Sequence, residues 1–273
     1  MELIICGLVT GAAMTIPGVS VGSAAMILGI YDRLVASVSR VFSQPGKSLP
    51  MIAKFAAGGI AGFLLIARLI SFLLTTRAEL PLRFLFLGAV AGGIPMILRR
   101  ADIKRLELRA LLLVAAGAAS VLLLSLLPEG LFAPGSSGFF GVILQIAGGI
   151  LLAAALVLPG ISASHFLYIL GIYEPVMQAV SSFDILSLLP LGAGAAAGTF
   201  LTARVLESLI QRHQSGTFMV ILGFMLGSLR DLIPTSASGL QVLTGIPVCA
   251  GGFLAVWLLQ REHSPKKRVH RGE

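Results

Sequence analysis

Apolar residues run through this chain in stretches too long for a soluble core, and the polar residues fall between the stretches. Such runs lie at about 51–74, 82–98, 110–127, 186–210, 217–233 and 241–260. A helix needs about 20 apolar residues to cross the hydrocarbon of a bilayer. Two further apolar segments, 3–30 and 139–172, are broken in the middle by Pro17-Gly18 and Pro159-Gly160. The pattern predicts an all-α polytopic membrane protein.

The two breaks belong to a repeat. Shifted by 142 positions, residues 17–41 fall on 159–183 without a gap, and ten of the 25 positions are identical. Pro17-Gly18-Val19-Ser20 returns as Pro159-Gly160-Ile161-Ser162, and Ile27-Leu28-Gly29-Ile30-Tyr31 as Ile169-Leu170-Gly171-Ile172-Tyr173. A repeat of this length means two copies of one structural unit. The first copy covers 1–127, an external linker 128–138 follows, the second copy covers 139–260, and 261–273 is a basic cytoplasmic tail.

Charge orients the copies. The chain carries +8 net charge, but Lys and Arg sit in short loops and the tail, which is topogenic charge and no sign of a nucleic-acid partner. Segment 31–54 holds Arg33, Arg40, Lys47 and Lys54, and segment 99–109 holds five basic residues. Segment 128–138 has no Lys or Arg, and 173–187 has Glu174 and Asp184 only. The first two and the tail therefore go to the cytoplasm with both termini, and the last two go outside. Segment 139–172 then starts and ends outside, so it dips in and returns, and 3–30 does the same from the cytoplasm. Each copy becomes a re-entrant helical hairpin plus three transmembrane helices. An odd number of crossings turns the second copy upside down, an inverted repeat of the kind that builds transporter sites at mid-membrane. The turn at 75–83, with Arg77 and Arg83 against Glu79, counts against this topology and leaves a ten-span alternative open.

The hairpin tips carry the first candidate chemistry. Pro17 and Pro159 end the entering limb, Gly18 and Gly160 permit the reversal, and Ser20 and Ser162 are placed to cap a returning limb. Free backbone N–H groups and the positive end of a helix dipole suit an anion, phosphate above all. Ser164 adds a hydroxyl in the second copy. The plain alternative is a structural kink, since Pro and Gly are common in membrane helices.

Two arginines supply the second signal. Shifted by 136, Gly58, Gly62, Ala67 and Arg68 fall on Gly194, Gly198, Ala203 and Arg204. An arginine at the middle of a span costs at least about 2.5–3.5 kcal/mol to insert, so it faces a polar cavity or a partner. Guanidinium is the fork that fits phosphate oxygens. The alternatives are snorkelling to an interface and, for Arg204, pairing with Glu207 one turn on. His165 stands near the second tip as a phosphate ligand, a proton carrier or a buried hydrogen-bonding residue; Gln145 and Tyr168 are weaker candidates of the same kind. Glycines 58, 59, 62, 88, 92 and 93, mirrored at 192, 194, 198, 223 and 227, mark close helix contacts.

No metal cluster, phosphate loop or nucleophile–His–acid set stands in the sequence, so an enzyme is not expected, and neither is a metal or other cofactor. Cys6 and Cys249 lie in apolar segments and read as neither disulfide nor metal ligands.

The paired signatures around Pro17 and Pro159 resemble those of the polyprenyl-phosphate transporter family over nearly the whole chain. The resemblance implies a bacterial cytoplasmic-membrane flippase that recycles undecaprenyl phosphate from the outer to the inner leaflet for cell-envelope polymer synthesis. Its partners would be the lipid substrate and the surrounding lipids. Val21-Gly22-Ser23 departs from the family's usual Gly-Gly-Thr, and Met14 stands where the family often has an aspartate. Coupling by a proton or a sodium ion is therefore left open. A transporter of a small soluble anion would use the same residues.

Overall fold

A computed structural model describes residues 2–14, 21–76, 78–102, 107–128, 130, 138–158, 163–182, 184–233 and 239–263. Among them the chain is all helical: α1 Glu2–Ala13, α2 Val21–Ile27, α3 Tyr31–Ser39, α4 Pro45–Leu74, α5 Glu79–Ala101, α6 Leu108–Ser125, α7 Phe139–Val157, α8 Ala163–Ile169, α9 Tyr173–Ser181, α10 Ile185–Arg212, α11 Gln214–Leu232 and α12 Gly239–His263. Six helices (α4, α5, α6, α7, α10 and α12) are long and apolar enough to cross a membrane. Their outer faces carry exposed Ile60, Leu64, Leu65, Leu111, Leu112, Phe139, Leu201 and Leu254, the surface that a lipid environment covers.

The repeated run Ile-Leu-Gly-Ile-Tyr is a helix stop used twice. Gly29 and Gly171 sit at φ +70° and +69°, the left-handed conformation that glycine adopts without a Cβ clash. Gly29 N–H donates to Met26 O (2.9 Å) and Ile30 N–H to Ala25 O (3.0 Å); Gly171 donates to Tyr168 O and Ile172 to Leu167 O, both at 3.0 Å. These pairs of bonds satisfy the last carbonyls of α2 and α8 and turn the chain into α3 and α9.

Glycines set the long-range packing, and the contacts recur residue for residue. A Cβ on Gly58 would lie 2.1 Å from Ile4 O, and one on Gly62 2.0 Å from Leu8 O. In the second half, Gly194 meets Ile146 O at 2.1 Å and Gly198 meets Ile150 Cα at 2.6 Å. The pairs α1–α4 and α7–α10 thus touch backbone to backbone, each running in the same direction. The other two seams cross between the halves. Gly88 and Gly92 of α5 meet Cys249 and Phe253 of α12, while Gly223 and Gly227 of α11 meet Val114 and Ala118 of α6. In lipid, where apolar side chains gain little by leaving the solvent, such close van der Waals contact drives association.

Several expectations shift. The segments 31–54 and 173–187, read as loops, contain the nine-residue helices α3 and α9, and α4 begins at Pro45. α3 is amphipathic: Tyr31 and Val35 are buried while Asp32 and Arg33 are exposed, the pattern of a helix lying on a core. The helices on either side of the two Pro-Gly segments are unequal, with 12 and 19 residues in α1 and α7 against seven in α2 and α8. Segment 217–233, expected as a span, lies in α11, which is not among the six. Its ends are polar (Gln214-Ser215 and Arg230-Asp231), and Phe218, Met219, Ile221, Leu222 and Met225 are buried in the largest core cluster. α11 is a central packing helix between α5 and α6.

Candidate functional site

The glycine seams place the arginines. Gly62 lies against Leu8, so six residues further along two same-direction helices Arg68 stands level with Met14, where α1 ends. Gly198 lies against Ile150, so Arg204 stands level with Leu156, where α7 ends. Each arginine backbone is therefore at the depth where its own Pro-Gly segment begins. Arg204 is exposed and, among the described residues, has neither an ion pair nor a hydrogen bond. Glu207, the alternative partner, is ion-paired with Arg40, the residue that follows α3, and also accepts from Gln211 Nε2 at 3.3 Å. Its carboxylate is committed across the molecule, which leaves the Arg204 guanidinium without a partner among the described residues.

Pro17, Gly18, Ser20, Pro159, Gly160 and Ser162 lie outside the described residues, as do the side chains of Arg68, Ser164 and His165. The helices that follow the two Pro-Gly segments have only seven residues each, about two turns, and α2 ends at Ile27, short of Gly29. A helix that short sums few peptide dipoles, so the weight of an anion site falls on guanidinium and hydroxyl groups.

The sequence reading missed a set of polar contacts around α3. Tyr31 is buried and its hydroxyl donates to Val157 O at 3.1 Å, tying the start of α3 to the end of α7. Arg40 pairs with Glu207 of α10, Arg100 of α5 pairs with Asp32, and Gln214 Nε2 donates to Arg100 O at 2.8 Å. Phe42 sets its ring edge against Phe200 at 5.0 Å. The signal available beforehand was the repeated Tyr at the end of the glycine run; the partner positions carry no local signature.

On the α9 side, Asp184 caps α10. Ser187 Oγ donates to Asp184 Oδ2 at 2.6 Å and Ser187 N–H to Oδ1 at 3.2 Å. The Ser187 hydroxyl, and then the backbone N–H groups, hold the Asp184 carboxyl below the usual carboxylate range. A cavity of about 300 Å³ opens here, lined by Gln145, Gln178, Ser182, Asp184 and Ser187 among others. The Oε1 of Gln145 is buried without a hydrogen-bond partner among the described residues. A second cavity, about 710 Å³, lies at the basic end, with Arg109, Arg212, His213 and Gln214 in its wall beside Asp102 and Glu107. Among the described residues no group of His, Cys, Asp and Glu could hold a metal ion.

Six apolar helices, two internally matched sets of seams and an arginine that is level with the end of α7 and has no partner among the described residues define a multi-pass membrane protein. The chain belongs to the undecaprenyl phosphate translocase-like family, whose model matches residues 9–244. A polyprenyl-phosphate transporter of Vibrio cholerae is 32% identical over 248 residues, covering 84% of this chain and 76% of that protein. A polyprenyl-phosphate transporter of Staphylococcus aureus is 29% identical over 242 residues, covering 85% of each. No solved structure matches the chain.

Proposed function

We propose that the protein is a flippase for undecaprenyl or another polyprenyl phosphate, returning the lipid from the outer to the cytoplasmic leaflet for cell-envelope polymer synthesis. It is a transporter and not an enzyme, set in a bacterial cytoplasmic membrane with both termini inside. The observation that carries the site is the twin register of Arg68 and Arg204 with the ends of α1 and α7, together with an Arg204 guanidinium that has no partner among the described residues. Those two arginines, the Ser20 and Ser162 hydroxyls and the tip amides at Gly18 and Gly160 would share the phosphate, with Ser164 and His165 beside it. The prenyl tail stays in lipid.

The packing supports an inverted repeat of re-entrant hairpins. α1 and α4 run side by side in one direction, so the chain must come back towards its starting level between them. α5 and α6 are consecutive spans and cross in opposite senses. α11, the counterpart of α5, runs parallel to α6, so the second copy is turned over. Alternating access then follows, but not by rocking one whole copy on the other. The seams α5–α12 and α6–α11 lock the copies together, so the moving parts are two arms, α1–α4 and α7–α10, working against a central scaffold of α5, α6, α11 and α12.

The test is movement of a labelled polyprenyl phosphate across liposomes holding the purified protein. Protein-dependent movement that falls at least tenfold in Arg68→Ala and in Arg204→Ala supports both substrate and site. Movement untouched by both substitutions keeps the substrate and removes the arginine site. If folded protein moves no lipid yet takes up a soluble phosphate or sulfate, the substrate is a small anion. Imposed pH and sodium gradients then identify the coupling ion.

A further inference from the structure

The two halves match in sequence and in their glycine seams, yet their hairpins are not packed alike. Met26 is 1% exposed and its counterpart Tyr168 36%; Val35 is 5% exposed and its counterpart Met177 45%. Tyr31 reaches across to Val157 O, whereas Tyr173 stacks on Tyr168 of its own half, with centroids 3.9 Å apart and planes at 18°. The first arm's α2 and α3 join a core shared with α5, α10 and α11, while α8 and α9 join a small cluster built from their own half. α3 packs on α10, and no seam of that size joins α9 to α4 among the described residues.

The difference is written in the residues as well as the packing. Arg40 pairs with Glu207, and their counterparts are Ser182 and Ser71; Phe42 meets Phe200, and their counterparts are Asp184 and Leu64. Arg100 holds Asp32, and in the sequence of the second copy their counterparts are Thr235 and Glu174. Two ion pairs and a ring contact therefore hold one side, and the residue types at the matching positions on the other side can form none of them. There, polar residues line the cavity beside α9.

We propose that Tyr31, Arg40 and Glu207 form a latch that shuts the α3 side of the transport path, so that the unloaded protein rests open on the α9 side. With α3 at the basic, cytoplasmic end, the resting state faces outward, ready to take a lipid headgroup from the outer leaflet. This deepens the function proposed above and rests on its alternating access and its orientation. Tyr31, Arg40 and Glu207 act on the phosphate only through the position of the arm. When the latch opens, α9 closes on α4 and Met177 takes the buried environment that Val35 has here.

Thiol labelling tests the latch without any lipid substrate. In a Cys6→Ala/Cys249→Ala background, Val35→Cys and Met177→Cys are each exposed to a membrane-impermeant charged maleimide from either face of proteoliposomes. Met177→Cys labels fast and from the outside, and Val35→Cys slowly. Adding Glu207→Gln raises Val35→Cys labelling about fivefold, the shift expected from losing one partly exposed ion pair, and lowers Met177→Cys labelling. Tyr31→Phe acts in the same direction through the lost hydrogen bond. The exchange Arg40→Glu/Glu207→Arg restores slow labelling, which separates a latch from general loosening. Equal labelling at the two sites, or a rise at Val35→Cys with no fall at Met177→Cys, overturns the proposal. Labelling that follows the scheme in a protein that moves no polyprenyl phosphate leaves the latch standing and removes the substrate.

Discussion

Gly192 and Gly194 lie two residues apart in α10, and replacing each with alanine separates the packing argument from helix propensity. At Gly192 a Cβ meets nothing within 4 Å; at Gly194 it would lie 2.1 Å from Ile146 O, 2.8 Å from the carbonyl carbon and 2.9 Å from Cα. Three backbone atoms of α7 stand in the way, and none can rotate aside. Ordinary carbon contacts sit near 3.5–4.0 Å, so the helices must part by about 1 Å. Parting them weakens every contact along the seam. Overpacking of this kind costs about 1–3 kcal/mol, while Gly192→Ala gains up to about 1 kcal/mol of helix propensity. In a thermal melt of the purified protein in lipid–detergent micelles, Gly194→Ala should fall by roughly 3–10 °C and Gly192→Ala should hold or rise. Gly58→Ala, which meets Ile4 O at the same 2.1 Å, should match Gly194→Ala. If Gly194→Ala melts with Gly192→Ala, the α7–α10 seam is not as close as described, and the register that places Arg204 goes with it.

Gly29→Ala and Gly171→Ala each force a side chain into left-handed backbone at φ near +70° and should lose about 1 kcal/mol apiece in the same melt; widely different losses would break the equivalence of the two helix stops. Asp184 titrates below its unfolded value, so its contribution to stability is present above the unfolded carboxylate pKa and is lost as pH falls through the lower folded value. Melting temperature should therefore drop below about pH 4, with a shallower acid slope in Asp184→Asn, and an unchanged slope would remove the cap from the account. Arg204→Lys keeps the charge but loses the planar fork, and should transport lipid more slowly than wild type and faster than Arg204→Ala; transport equal to wild type would show that charge alone suffices.

The parts of this fold that rest on local pattern were legible in the sequence. Apolar run length gave five of the six candidate spans, while the sixth, α7, lies in a segment the pattern reads as a re-entrant hairpin. Most of the mirrored glycines gave contact faces, because a backbone approach leaves its mark at the very residue that permits it, but Gly192 meets nothing within 4 Å. What they approach was not legible: nothing near Gly88 says that its partner is Cys249 and not a neighbour in the same half. Arg33 and Arg40 were counted as topogenic charge, which hid the amphipathic period of α3. Glu207 illustrates the same limit. Spacing along one helix offers it to Arg204, but packing gives it to Arg40, 167 residues away. Pairings across the molecule are decided by which faces the seams bring together, and no window of sequence contains that.

The seam between α5 and α12 also sets a schedule for making the protein. Gly88 leaves the ribosome long before Cys249, the residue it must lie against. At about 5–20 residues per second, α5 waits roughly 8–30 s in the bilayer with its glycine face uncovered. α6 waits somewhat less for α11. Throughout that interval the scaffold of the finished transporter does not exist, and the α1–α4 seam is the largest contact holding the described residues of the first half together. Insertion must therefore shelter a half-built molecule until its last helix arrives, and a chain cut before α12 loses the partner of its first scaffold helix rather than a dispensable tail.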